Sequence, residues 1–422
     1  MQSRGEAENQ IPENDVKGLC VEMPGPSEGP DPVNTMRSPT ERSTVYLDHA
    51  ATSFPKAGEV VEEITRFLAA SAGSPGRSGH RISAAAARLV YETREALARL
   101  FGVGDSRRLV FTRGATEGLN LILYGLLEPG DHVVTTSMEH NAVMRPLRDL
   151  VRSRNVTVTA VPASAEGLVD PDDLGRAVRP NTRLAVINHA SNVCGALQPL
   201  PDIADRLRGR TRLVIDAAQT AGLVPLNLED LSAGAIALSG HKGLLGPTGI
   251  GVLCLGEDVR PRPLMHGGTG SVSESDEQPE FLPDRYEAGT PNTVGIAGLH
   301  GSLAYLEKRR WSRFLDHERA LAARLLGAVD SLDGVCVQGP RPIQDRTGVV
   351  SFRIRTVEPG EVGRRLDQDF GLLVRCGLHC APNAHRTLAT FPMGTVRASF
   401  GHLNTEEDVD RLVEAVAEIA HG

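Results

Sequence analysis

The stretch RCGLHCA, Arg375–Ala381, places two thiols and an imidazole, those of Cys376, His379 and Cys380, within one short segment. Such a trio could ligate a metal, close a disulfide or present a reactive thiol. A structural zinc site wants four ligands, usually as two close pairs. No second close pair stands elsewhere in the chain, so no metal is expected. Four other groups are candidates for chemistry. Lys242 lies in LSGHKGLLGPTGIGVL, with no other Asp, Glu, Lys or Arg from Ser232 to Gly256. An amine in such surroundings loses solvation, which lowers its pKa and makes it a nucleophile. The alternative is a lysine reaching out to water from a Gly-rich loop. Asp216 ends the apolar run in RLVIDAAQTAG, where an acid can hold a protonated ring nitrogen or cap the next helix. Gly114, Ala115 and Thr116 stand between an apolar run and a helical pattern in FTRGATEGLN. Backbone N–H groups at a helix start bind anions, and the same residues also cap helices. His140, in TTSMEHNAV, could stack on a ring, shuttle protons or be structural.

The order of these groups says more than any one of them. Phosphate-type loop, histidine, strand-end aspartate with a following Gln219, then Ser-x-His-Lys: this order resembles the fold-type I pyridoxal 5′-phosphate (PLP) enzymes of aminotransferase class V. VYLDHAATSFP (45–55), NHASNVCGALQPL (188–200), YEAGTPNT (286–293) and VRASFGHLNTEEDVD (396–410) match further landmarks, so the resemblance covers roughly residues 44 to 420. Within the class it is closest to the cysteine desulfurases. The resemblance implies that Lys242 binds the cofactor covalently, Asp216 pairs with its ring nitrogen and Gln219 lies near its phenolic oxygen. It implies His140 as stacking partner and acid/base, and Thr116, Ser239, His241 and the Ala115 backbone as phosphate ligands. Thr290 would reach the phosphate of a neighbouring subunit, so a homodimer is implied. Asn192 and Arg397 would hold the substrate carboxylate, a task that suits the arginine fork. Arg375 and His80 complete the expected substrate set, His80 at the pocket entrance. One departure stands out: Ala115 occupies a position where relatives often carry a threonine.

The fold and cofactor leave the reaction open. A desulfurase needs a partly exposed thiol that attacks as the thiolate. Cys20 lies in the tail, Cys194 and Cys254 read as packed residues, and Cys336 sits in a strand. Arg-x-Gly-x-His-Cys-Ala resembles the short catalytic-cysteine loop of the desulfurase group that includes selenocysteine lyase-like enzymes. Cys380 is therefore the expected nucleophile and Cys376 a bystander, with Arg375 and His379 expected to favour the thiolate. The implied activity is removal of sulfur from L-cysteine, giving L-alanine and a persulfide on Cys380. The alternatives are a selenocysteine lyase or another class V enzyme, an epimerase or a lyase, acting on a different amino acid. The sulfur acceptor, a protein or a small molecule, is not named by the sequence.

The elements that must position these residues follow from periodicity. Short apolar runs such as HVVTT, RLAVINHA, RLVIDAA and GAIALSG alternate with helical patterns from about residue 60 to 300. This pattern predicts an α/β fold with a mostly parallel sheet covered on both faces. Ligands bind at the carboxyl ends of such strands. The family's large domain carries a seven-stranded sheet of this type. Residues 60–300 are expected to form that PLP-binding domain. Residues 44–59 with 301–422 are expected to form a smaller α+β domain, opening with one long helix over 300–329 and closing with a helix capped by Thr405. The segment 267–281 reads as a surface loop or mobile flap. Residues 1–43, rich in Pro, Glu, Ser and Gly, predict a disordered tail, and Met36 is a possible start. Hydrophobic residues at 40% and charged residues at 23% are ordinary for a soluble globular chain. A net charge of −8 with no basic block argues against a nucleic-acid partner. No run of 18 apolar residues occurs, so no membrane-spanning helix is expected. The N-terminus does not read as a secretory signal, and six irregularly spaced cysteines make no disulfide framework. The expected compartment is the cytoplasm.

Overall fold

The structure, a computed structural model, describes residues 44–76 and 79–421. The expected tail, Cys20 and the alternative start at Met36 lie outside those residues. In chain order the first half comprises β1 (Val45–Tyr46), α1 (Gly58–Ala70), α2 (Arg81–Phe101), β2 (Leu109–Thr112), α3 (Ala115–Leu126), β3 (His132–Thr136), α4 (Asn141–Arg154), β4 (Thr157–Val161), α5 (Pro171–Ala177), β5 (Thr182–Asn188) and α6 (Leu200–Leu207). There follow β6 (Arg212–Asp216), β7 (Ala235–Ser239), β8 (Gly251–Leu255), α7 (Thr293–Lys308), α8 (Phe314–Val329), β9 (Val335–Gln338), β10 (Val349–Ile354), α9 (Pro359–Phe370), β11 (Leu372–Leu373), β12 (Arg375–Gly377), α10 (Pro382–Thr387), β13 (Thr395–Ser399) and α11 (Glu406–His421).

The larger sheet has seven strands in the order β2-β8-β7-β6-β5-β3-β4. Only β8 runs antiparallel to its neighbours. Its strands are apolar at successive residues because both faces are covered. Val133, Leu184 and Val214 pack on one side with Leu119 of α3 and Leu147 of α4. Their chain neighbours Val134, Ala185 and Leu213 pack on the other with Leu97 of α2, Ile203 of α6 and Ile296 of α7. This two-sided alternation is the period-2 geometry of a buried parallel sheet. The observed α/β fold is the class expected from sequence.

The smaller sheet, β12-β13-β10-β9, is antiparallel throughout. Val350, Phe352, Val396 and Ala398 turn one face toward α8, α9 and α11. Strand alternation sends Ser351, Thr395, Arg397 and Ser399 to the opposite face, where they meet the loops of the larger sheet. β1 pairs in parallel with β11, bringing the segment after Tyr46 against the same face.

One expectation fails. The helix anticipated over 300–329 is broken: α7 ends at Lys308, Arg310 turns left-handed at φ 54°, and α8 restarts at Phe314. The expected cap on the last helix is present. Thr405 accepts from the Asp408 N–H at 3.3 Å and its own N–H donates to Asp408 at 3.0 Å, a reciprocal capping arrangement.

Candidate active site

Strands β7, β6, β5 and β3 are adjacent and parallel, so their carboxyl ends lie along one edge. That edge delivers Lys242 after β7, Asp216 at the end of β6, Asn192 after β5 and His140 after β3. Lys242 is half-buried. Burial pushes its amine down to about 8, Arg397 and Arg375 act in the same direction, and Asp216 and Asp48 oppose them. Asp216 is buried, which raises its pKa, while the Ala218 N–H and Lys242 pull the other way. Gln219 donates to the Ala50 carbonyl at 3.0 Å and lines a small cavity with Lys242, His49 and Glu318. The Lys242 turn is stitched to the segment after β1. The His241 carbonyl accepts from Thr52 Oγ1, the Ser53 N–H and Lys56 Nζ at 3.0–3.1 Å.

His140 caps α4: its Nδ1 accepts the Ala142 N–H at 3.0 Å, which leaves the ring proton on Nε2. Burial, with Lys242 and Arg145 adding to it, lowers the imidazole to about 4, so it is neutral near pH 7. At the start of α3, the Ala115 N–H donates to Ser239 Oγ at 3.2 Å and Thr116 is exposed. β8 closes on this loop, because a Cβ on Gly251 would stand 2.4 Å from Gly114 Cα. His241 Nδ1 is buried without a partner among the described residues, and burial lowers that ring to about 4.

The smaller sheet supplies the other wall. Arg397 is 1% exposed and sits opposite Arg375 in the β12–β13 register. Its Nη1 donates to the Asn192 carbonyl at 2.9 Å and its Nη2 to Asp48 at 2.5 Å, while Nε has no partner among the described residues. Cys380 is exposed. Its carbonyl accepts the Asn141 N–H at 2.9 Å, and the preceding carbonyl, of His379, accepts Asn192 Nδ2 at 2.7 Å. The Cys380 loop is thus held against both the start of α4 and the loop after β5.

The chain matches the Aminotransferase class-V family model over residues 45–412. It belongs to that family. A probable cysteine desulfurase of Methanothermobacter thermautotrophicus is 36% identical over 390 residues, covering 90% of this chain and 96% of the relative. Among solved structures, the apo cysteine desulfurase of Thermococcus onnurineus superposes with a TM-score of 0.85 at 32% identity, covering 90% of this chain and 95% of that one. The Escherichia coli cysteine desulfurase CsdA gives 0.81 at 30% identity, with the same coverage.

Class V enzymes use pyridoxal phosphate, and the donor set here fits it. A poorly solvated amine faces a buried carboxylate, the start of α3 offers an anion site, and the unpartnered His241 Nδ1 adds a polar atom beside Lys242. Of the residues expected from sequence, Lys242, Asp216, Gln219, His140, Ala115, Ser239, His241, Asn192, Arg397, Arg375 and Cys380 come to this edge and its facing wall. Thr290 is exposed and lines a pocket with Thr112, Arg113 and Asn292, Thr112 and Arg113 being the residues that precede the Gly114 turn. His80 is exposed and caps α2, its Nδ1 accepting the Ser83 N–H at 3.3 Å. The expectation for His379 is corrected. Burial first, then Arg397 and His385, lower it to about 2, so it is a neutral ring and cannot supply charge to the Cys380 thiol. Arg375 is left as the cation of that stretch.

Three residues with a part in this geometry were not singled out from sequence. Asp48 pairs with Arg397. Glu139 lies fully buried beside His140. Arg346 is fully buried and donates to the carbonyls of Pro340, Cys194 and Val349 at 2.7–3.0 Å, bolting the Asn192 loop to the smaller sheet. The signal for Glu139 stood in the sequence, next to His140. Asp48 reaches Arg397, and Arg346 reaches Cys194, across distances in the chain that no local pattern spans.

Proposed function

We propose that this chain is a PLP-dependent cysteine desulfurase that takes sulfur from L-cysteine onto Cys380. The observation that carries the reading is the exposed Cys380 on a loop anchored to Asn192 and to the start of α4, which follow strands of the same sheet edge as Lys242. The relatives named above are cysteine desulfurases, which supports the same reading.

Bound pyridoxal phosphate would hold the substrate amine and take up the electron pair released at the α-carbon. Lys242, Ala115, Thr116, Ser239, His241, Asp216 and Gln219 are the residues that would hold it. Asp216, kept from water, is placed to pair with a cationic ring nitrogen. Arg397 and Asn192 receive the substrate carboxylate, with Arg397 turning donors from Asp48 toward it. Lys242, once its amine is free, removes the α-proton; an amine with a pKa near 8 is matched to that task. The neutral His140 can hand its Nε2 proton to a neighbouring atom. The Cys380 thiolate attacks the substrate sulfur. The S–S bond forms as the Cβ–S bond breaks, and the β-carbon gains a proton, so that cysteine and thiol become alanine and persulfide. The chain is read as a homodimer in which Thr290 serves the neighbouring subunit's phosphate. Its place is the cytoplasm, where a free thiol persists.

Incubating the holoenzyme with L-cysteine is expected to yield alanine and one added sulfur on the Cys380 peptide. Cys380→Ser should keep the cofactor absorbance and lose the persulfide. Unaltered cysteine turnover in that variant would remove Cys380 from its role. Activity confined to selenocysteine would instead favour the lyase.

A further inference from the structure

We propose that Asn192 is a positioning residue for the Cys380 thiol, coupling the arginine that receives the substrate carboxylate to the backbone of the nucleophile loop. The inference rests on the reading of Cys380 as sulfur acceptor.

His379 and Cys380 are consecutive non-glycine residues in the left-handed region, at φ 46° and 58°. L-residues rarely adopt that conformation, and a pair persists only where the surroundings hold it. Four hydrogen bonds among the described residues hold this pair: the Ala381 N–H closes the turn on the Leu378 carbonyl at 2.9 Å, and three others tie the pair to its surroundings. The Cys380 carbonyl takes the Asn141 N–H at 2.9 Å, and His379 Nε2 meets Thr395 Oγ1 at 3.1 Å. The third is Asn192 Nδ2 to the His379 carbonyl at 2.7 Å, and Asn192 is also the residue that Arg397 contacts. Arg397 Nη1 donates to the backbone carbonyl of that same Asn192 at 2.9 Å.

Asn192 is itself held. The N–H groups of Val193 and Cys194 donate to Ser191 Oγ, Ser351 Oγ donates to the Val193 carbonyl, and Arg346 donates to the Cys194 carbonyl at 3.0 Å. A loop fixed in this way transmits a placement instead of absorbing it. Asn192 therefore does two things: it sits at the carboxylate site, and it sets where Cys380 projects. Without its amide the buried His379 carbonyl loses its donor, the turn keeps its Ala381–Leu378 bond but loses its tether to the Asn192 loop, and the Cys380 Cβ shifts. Attack of one sulfur on another depends on close alignment, so the loss falls on sulfur transfer more than on substrate binding.

L-alanine separates the two roles, because it carries the same carboxylate and needs no thiol. In holoenzyme variants Asn192→Ala and Asn192→Asp, two rates are measured at saturation. One is exchange of the alanine α-proton with deuterated water, and the other is single-turnover persulfide formation on Cys380 from L-cysteine. Asn192→Asp keeps the shape and places an acceptor against the His379 carbonyl, so it decides the matter should the alanine variant not fold. The expected result is a persulfide rate reduced by about tenfold more than the exchange rate, the size of one buried hydrogen bond. Equal reduction of both rates, or a change in KM alone, overturns the coupling and leaves Asn192 a carboxylate ligand only. Absence of Cys380 persulfide in the unaltered enzyme overturns the desulfurase reading instead, and the two failures are distinct.

Discussion

Glu139 is fully buried one residue from His140, and its carboxyl carries the charge logic of the site's floor. Oε1 accepts Thr136 Oγ1 at 2.8 Å and the Asn188 N–H at 3.1 Å, while Oε2 has no partner among the described residues. Burial, with Asp216 adding to it, raises the pKa to about 8, against 4.5 in the unfolded chain. The folded state then holds a proton that the unfolded state releases between those values. Stability therefore falls as pH rises from 4.5 to 8. Glu139→Gln keeps the accepting oxygen and removes the ionisation. It should melt higher than the parent at pH 8, by about 2 °C or more, with the gap closing toward pH 4.5. Melting curves across that range test it, and a gap independent of pH would mean that Glu139 is ionised in the fold. Cys376 gives a second contrast. Burial raises its thiol to about 11, and it packs so closely on α9 that a Cβ at Gly363 would stand 2.4 Å from its Sγ. Iodoacetamide at neutral pH is expected to label Cys380 and spare Cys376, as read by peptide mass. Cys376→Ala should still form persulfide, and its loss there would move the nucleophile to Cys376.

At the scale of elements, the site depends on how closely backbones approach. Gly251 of β8 lies against Gly114, the turn before α3, at a spacing that leaves no room for a methyl group. Gly251→Ala should therefore displace the phosphate loop while leaving Lys242 in place, so cofactor dissociation should quicken before activity at saturating cofactor is lost. Dialysis followed by absorbance measures this; unchanged retention would show that the loop does not hold the phosphate. Arg346 is a second fastening, with no carboxylate partner among the described residues. Arg346→Ala strips three buried carbonyls of their donor, a cost of about 3 kcal/mol or more. Urea unfolding should show a clear loss of midpoint, and an unshifted midpoint would mean that water replaces the guanidinium. The strands of the larger sheet were legible because their apolar runs are buried on both faces, as Val133 and Val134 show by packing in different cores. The break between α7 and α8 was not legible. The residues from Lys308 to Arg313 contain no Gly or Pro that would mark the left-handed turn at Arg310.

Over the whole molecule, the site is assembled from segments far apart in the chain, and this limits what a single sequence reveals. Lys242, Asp216 and His140 follow strands and could be placed by pattern. The Asp48–Arg397 pair joins residues 349 apart, and Asn192 reaches His379 over 187. The neutrality of His379 is likewise a product of tertiary burial, which a charged-looking motif does not disclose. The same limit applies to Thr290, which is exposed. If Thr290 completes the phosphate site of a neighbouring copy, then a dimer with one fault in each subunit can still own one sound site. Lys242→Ala abolishes the site in its own chain, and Thr290→Asp, by repelling phosphate, abolishes the site in its neighbour. Both faults then fall on the same site, since the Lys242→Ala chain also meets the altered threonine. The other site keeps its own lysine and an unaltered Thr290. Each variant alone should be inactive. Mixing equal amounts through reversible dissociation should restore about a quarter of parental activity, because half the dimers are mixed and each has one working site. Full activity of Thr290→Asp alone would remove Thr290 from the phosphate site. No recovery in a mixture shown by tags to contain mixed dimers would place Thr290 in its own subunit's site.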